Sequence, residues 1–330
     1  MRKVILKAID GHADQIRIDA LGSITAVKSG TEGPKNPRIM LAAHMDEIGF
    51  MVQGVDSDGL IRFTNVGGID ARILPGLRVR VGDKALPGVV IWTPIHKNRD
   101  QATVKLENLR IDIGASSKEG VNGQVKRGER IAFDSTYVEM SDRVRRGKAF
   151  DDRVGCSLLV DILQGGPYPV DVLAAFTVQE EIGLRGAGVA AKILQPDLAI
   201  VLEGNPAHDL PDPLADPDDR ERPNPAARLG AGPALTVMDR SMIADPRLLK
   251  WLRATADFHD IPCQLATALG GGTDAGSIHT ANSGIPSAVI SVPCRYIHSP
   301  SAVMHLDDYE HTLQLITAAL NSLTPAVLEW

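Results

Sequence analysis

Four apolar runs in this chain each end in, or just before, a residue of metal-ligand type. RIMLAA (38–43) runs into His44 and Asp46, and VLAAFTV (172–178) runs into Glu180 and Glu181. LAIVL (198–202) is followed by Glu203, and PSAVISV (286–292) leads to Arg295, Tyr296 and His298. Such runs suit strands buried on both faces of a sheet, and open α/β sheets bind their ligands beyond the carboxyl ends of the strands. A fifth element adds Asp151-Asp152 at the start of a helix, where free amide donors favour anions.

Two histidines and several carboxylates suit Zn²⁺ or a similar divalent ion. With one carboxylate bridging, such a set can hold two ions roughly 3.5 Å apart, which together activate a water and polarise a carbonyl. A further carboxylate that does not ligate is then needed to take the water's proton. Glu180-Glu181 supplies both kinds at adjacent positions. Singly, these residues have plainer readings. His44 alone would more often be packed or at the surface, and Asp151-Asp152 alone would serve as a helix N-cap. Glu180-Glu181 could be solvated at a loop start, although two carboxylates after an apolar strand are costly without partners.

The elements that must position these residues alternate. A short helix at 1–12 precedes strands at Gln15–Asp19 and Ser23–Lys28 and the run at 38–43. After Gly147 come helices at 152–164, 186–194, 246–258 and 307–322, with strands at 170–178, 197–202 and 286–292 between them. This alternation predicts an α/β layered sheet. From about Val55 to Glu139 the texture changes to short runs cut by Gly, Asp and Pro, as in a small β-barrel. The expected organisation is a discontinuous main domain of residues 1–55 and 140–330, interrupted by a β-rich insertion of residues 56–139. Residues 205–227 are rich in Pro and Asp and read as a surface loop.

Of 330 residues, 44% are hydrophobic and 23% charged, which allows a sizeable core. The net charge of −6 argues against a nucleic-acid partner, and no apolar run is long enough for a membrane helix. The three scattered cysteines, Cys156, Cys263 and Cys294, read as free thiols in a reducing cytoplasm. Cys156 is expected in the core and Arg295 as an anchor beside the site. His12, His96, His208, His259, His279, His305 and His311 read as structural or surface residues.

Five blocks carry a more specific signal: HMDEIGF (44–50), GKAFDDRVGC (147–156), VQEEIGLRGA (178–187), GGTDAG (271–276) and RYIHSP (295–300). Together and in this order they resemble the signature blocks of the M42 metalloaminopeptidases, which include the TET peptidases and proteins once labelled endoglucanase M. The resemblance implies a zinc-peptidase-like α/β/α sandwich with an inserted small β-barrel-like dimerisation domain. It implies an aminopeptidase that uses two divalent ions, Zn²⁺ or Co²⁺. Asp151 would bridge them, through a cis bond to Asp152. His44 and Glu203 would complete one ion, Glu181 and His298 the other. Glu180 would be the general base, and Asp46 would orient His44. Cytoplasmic homo-oligomers, dimers assembling to a dodecamer, are implied as well. Glu203 stands where members often carry Asp, the N-terminus is short, and the stretch after Glu203 is long. Apart from the resemblance, Gly271-Gly272-Thr273-Asp274 reads either as a simple turn or as a backbone approach to the substrate, with Asp274 near the peptide's amino group.

A deacylase or carboxypeptidase of the same clan would use the same metal site with another recognition pocket. A non-catalytic assembly protein would have no need of the complete set of ligands and base. An endoglucanase is poorly supported, since glycosidases place two carboxylates about a sugar without paired metals, and aromatic residues are only 4%.

Overall fold

The computed structural model describes residues 1–33, 37–92, 104–210, 227–267 and 271–329. An eleven-stranded mixed sheet forms its centre. Four strands run parallel at the middle, in the spatial order Val172–Thr177, Ile39–His44, Leu198–Pro206 and Ser287–Arg295. Val172–Thr177 and Ile39–His44 are buried at every position, as the continuous apolar runs require of strands covered on both faces.

The period-two alternation of these strands divides the core into two layers. Leu41, Ala43, Ala174, Phe176, Ile200 and Leu202 pack against the helices Phe150–Gln164, Pro246–Phe258 and Leu306–Ser322. Met40, Ala42, Leu173, Ala175, Ala199 and Val201 face Arg185–Leu194 and Ala275–Ile278. The result is the expected α/β/α sandwich. The second layer is rich in alanine and glycine, which lets those helices lie close to the sheet.

The barrel is also as expected. Gly49–Val55, Ile61–Val66, Arg110–Asp112, Leu86–Ile91, Arg78–Val81 and Arg130–Phe133 close into six strands. Phe50 anchors the barrel's own core, edge-on to Phe63 at 5.0 Å and to Phe133 at 5.3 Å. Closure leaves no free edge among these six described strands. The barrel's first strand begins at Gly49, so it lies ahead of the boundary drawn at residue 56. The chain enters the barrel within five residues of His44, which brings barrel loops over the sheet's carboxyl edge.

Several elements differ from the sequence reading. The first helix spans Arg2–Ala8 rather than 1–12. The short strands Val138–Glu139, Val144–Gly147, Ala234–Met238, Gln264–Thr267 and Ala302–His305 were not read from the sequence. Their pairing is supplied by neighbours already in the sheet. The strand through Glu203 continues to Pro206, into the stretch read as loop. Residues 211–226 of that stretch lie outside the described residues.

Candidate metal centre

The strand register brings the ligand candidates to one level. Thr177 pairs with His44, and Glu203 pairs with Ser291, two residues beyond the last paired step of its strand with Ile39–His44. His44 and Glu203 therefore leave adjacent parallel strands together, and Glu180-Glu181 follow on the turn after Thr177. Gln179, ahead of Glu180, has φ 63°, and Ala149, ahead of the Asp151 segment, has φ 58°. Tyr296 and His298 are left-handed too, at 57° and 59°. Non-glycine residues seldom adopt this region, and where they do they gather at functional sites.

Asp151 and Asp152 divide two roles between them. Both have non-helical dihedrals, so the regular helix begins after them, and their peptide bond is cis. Asp152 is fully buried. Its carboxylate accepts from the Gly155 amide at 3.0 Å and from the His44 amide at 2.9 Å. It is thus an N-cap that also ties down the strand end bearing His44. Asp151 points the other way, with Oδ1 2.9 Å from His44 Nε2 and Oδ2 3.2 Å from His298 Nε2. Gly204 makes this close approach possible: a Cβ there would sit 3.0 Å from the Asp151 Cα.

Around Asp151 the donors fall into two sets of three, His44/Asp151/Glu203 and Asp151/Glu181/His298, each with ligand atoms within 4.8 Å of one another. Glu203 lies 3.5 Å from His44, and Glu181 3.6 Å from His298. Both imidazoles are oriented through Nδ1, which leaves Nε2 to face the carboxylates. His298 Nδ1 is 2.7 Å from the carbonyl of Gly68, on a barrel loop. His44 Nδ1 is 3.2 Å from the Asp46 carbonyl and 3.6 Å from the Asp46 carboxylate. The Asp46 carboxylate also accepts from the Glu180 and Glu181 amides, at 3.2 and 3.3 Å. One side chain so fixes the spacing between the first histidine and the two glutamates.

The electrostatics call for cations. Burial pushes Glu180 up to about 10 and both Glu181 and Glu203 up to about 7. Burial opposes ionisation of Asp151 as well, but the hydrogen bonds from His298 and His44 outweigh it and hold the group below the usual carboxylate range. His298 is pushed up to about 9, chiefly by Asp151. Leaving a buried carboxylate unpaired costs several kcal/mol. Four of them here face two histidines, and no Lys or Arg is among the described residues lining the cavity. The donor set fits divalent ions in both number and type.

The centre opens into a cavity of about 730 Å³, large enough for a residue-sized ligand. Glu180, Gly271, Gly272 and Thr273 line it. Asp274 does not: it is 1% exposed, with its carboxylate accepting from the Thr177 hydroxyl. His208, read as structural or surface, does line the cavity. It lies two residues past the observed end of the Glu203 strand at Pro206 and stays exposed at the cavity wall. Asn205 lines the cavity too, and the alternation that places it on the Glu203 face was a signal available in the sequence. Arg295 is an anchor as expected, paired through two bonds of 2.7 Å to Asp209. Cys156 is buried in the core, with its Sγ 3.2 Å from the His44 carbonyl. His12, His259, His279, His305 and His311 are not among the lining residues; His96 lies outside the described residues.

An α/β/α sandwich with twin carboxylate–histidine sets at the carboxyl edge of its parallel strands is the architecture of a zinc-peptidase-like hydrolase. The sequence profile described as M42 glutamyl aminopeptidase matches residues 22–315. A putative aminopeptidase of Acetivibrio thermocellus is 37% identical, over 97% of this chain and 92% of the relative. The solved aminopeptidase of Desulfurococcus kamchatkensis superposes with a TM-score of 0.91 at 34% identity, covering 99% and 91% of the two chains. The Pyrococcus horikoshii TET1 peptidase, which can assemble into a tetrahedron or a large octahedral shell, superposes at 0.84 with 31% identity, covering 98% and 93%. The chain belongs to the M42 peptidase family and is an aminopeptidase, a hydrolase of peptide bonds that depends on divalent metal.

Proposed function

We propose that the enzyme removes the N-terminal residue from peptides at a centre of two divalent ions, Zn²⁺ or Co²⁺, which share Asp151. The single observation that carries this reading is the division of Asp151: one oxygen faces His44 and the other faces His298. His44 and Glu203 would complete one ion, Glu181 and His298 the other. Two ions held there would polarise the scissile carbonyl and lower the pKa of the attacking water. Glu180 belongs to neither set, and its carboxylate reaches to 3.9 Å from His44 Nε2 while lining the cavity. It takes the water's proton and delivers it to the leaving amine. Asp46 keeps Glu180 and His44 in register. Gly271 and Gly272 expose backbone to the substrate; Asp274 acts from behind them.

The test is release of p-nitroaniline from a panel of aminoacyl p-nitroanilides, with and without chelator. Hydrolysis that chelator stops and metal restores is expected. Turnover of N-acylated or carboxyl-terminal substrates instead would favour a deacylase or carboxypeptidase. Silence across every panel would favour a non-catalytic role.

The metal-free site holds protons that the ions must displace. With His298 pushed up to about 9 and Glu181 and Glu203 to about 7, these groups carry protons at or below neutral pH. Raising the pH removes the competitor, so metal affinity rises with pH, by about tenfold per unit for each proton displaced. Competition titrations of the apoenzyme at pH 6 and pH 8 check the sign; equal affinities would remove the histidine from the ligand set.

We further propose a homo-oligomer of dimers that assemble to a dodecamer, with the β-rich insertion, whose barrel strands run from Gly49 to Phe133, as the dimerisation domain. The shells formed by the horikoshii relative support it. A cytoplasmic setting is consistent with three free thiols. No helix among the described residues is long and apolar enough to cross a membrane.

A further inference from the structure

We infer that Asp274 is a positioning residue: through the Thr177 hydroxyl it fastens the Gly271–Thr273 wall of the substrate cavity to the strand end that leads to Glu180. The inference rests on the assignment of this cavity as the peptide site.

Asp274 occupies the N-cap position of the Ala275–Ile278 turn, yet its side chain makes no capping bond. An aspartate there ordinarily accepts from the amides of the first turn. Instead the carboxylate crosses to the sheet and accepts from Thr177 Oγ1. Thr177 is fully buried and closes the Val172–Thr177 strand, three residues ahead of Glu180. The hydroxyl's other available acceptor, the Ala43 carbonyl, is more distant at 3.3 Å. Asp274 is 1% exposed, and its Oδ1 has no hydrogen-bond partner among the described residues. A buried carboxylate with so few bonds depends heavily on the one it has.

The opposite side of the wall is pressed against another fixed turn. A Cβ at Gly276 would come within 2.4 Å of Ser241, and one at Gly272 within 2.9 Å. Ser241 is held in turn by Asp239, which accepts from its amide at 2.6 Å, its hydroxyl at 2.8 Å and the Met242 amide at 2.8 Å. Gly271 adds one bond to this turn, accepting from the Arg240 amide at 2.8 Å. The wall is thus backed by the Ser241 turn and tied to the sheet by Thr177 and Asp274. The turn carrying Glu180 has its own anchor, the Asp46 carboxylate on the Glu180 and Glu181 amides. Loosening the wall therefore acts on substrate binding more than on the base.

The test compares Thr177→Val, which removes the hydroxyl at nearly constant shape, with Thr177→Ser, which keeps it. In Thr177→Val, KM for an aminoacyl p-nitroanilide rises about tenfold while kcat changes less than about threefold, and metal content stays that of the parent enzyme. Thr177→Ser restores KM. Amide hydrogen exchange gives a reading independent of activity. The Ser277 and Ile278 amides, which donate to the Asp274 carbonyl, exchange faster in Thr177→Val, and those of Glu180 and Glu181 do not. Unchanged KM with unchanged exchange overturns the inference, as does a serine variant as impaired as the valine one. A parent enzyme that hydrolyses no aminoacyl substrate would count against the proposed function, and the exchange data would still decide the fastening.

Discussion

Replacing Glu180 with Gln leaves the metal content of the enzyme unchanged and lowers kcat by about 10³-fold. The residue is outside both ligand sets, so its loss removes no bond to an ion. Glutamine keeps the shape and the hydrogen-bonding reach of the side chain but cannot accept a proton. Its backbone remains held by Asp46, so the loss is chemical and not positional. Metal analysis beside steady-state kinetics on one aminoacyl p-nitroanilide separates the two. A variant with near-normal turnover would show that another group takes the proton, and one that loses metal would move Glu180 into the ligand set.

Asp151→Ala empties both metal positions, whereas Glu203→Ala empties one. The asymmetry follows from geometry, because Asp151 alone belongs to both sets. Removing it deprives His44 and His298 of their nearest carboxylate, 2.9 and 3.2 Å away. Removing Glu203 leaves Glu181, His298 and Asp151 intact. Both variants lose activity below about one part in a hundred of the parent, since each ion contributes to carbonyl polarisation and water activation. Stoichiometry by elemental analysis after gel filtration distinguishes them. If Asp151→Ala retained one tightly bound ion, the shared carboxylate would be wrong; if Glu203→Ala retained both, Glu203 would leave the ligand list. The metal-free forms should also melt at lower temperature, because ions that bind only the folded state stabilise it.

The candidate ligands were legible because most of them are tied to strand ends. An apolar run long enough to be buried on both faces declares a parallel strand, and the residue after it must emerge at the sheet's carboxyl edge. His44, Glu180, Glu181 and Glu203 could be collected on that rule alone. His298 was collected further past its strand and Asp151 at a helix start; the particular role of each residue in the set came from the resemblance to the M42 blocks. The strands Ala234–Met238 and Gln264–Thr267 were not legible, and with them went the Asp239 turn that backs the cavity. Such short strands take their conformation from the neighbour they pair with.

Asp274 shows the same division in one residue. Its motif marked it as a substrate contact, but motif spacing says only that a residue is near the site. Whether the carboxylate points into the cavity or away from it depends on the fold of the Ala275–Ile278 turn and on Thr177, nearly a hundred residues earlier. By itself the sequence determined the layered α/β class, the barrel insertion and the chemical types gathered at the sheet edge, because periodicity and side-chain chemistry are local properties. Only the tertiary structure decided which Asp151 oxygen faces which histidine, that Asp152 caps the helix while Asp151 belongs to both sets, and that the Asp274 carboxylate turns to Thr177 and away from the cavity. Those are matters of direction at distances of 3 to 4 Å, and direction is set by packing between segments far apart in the chain.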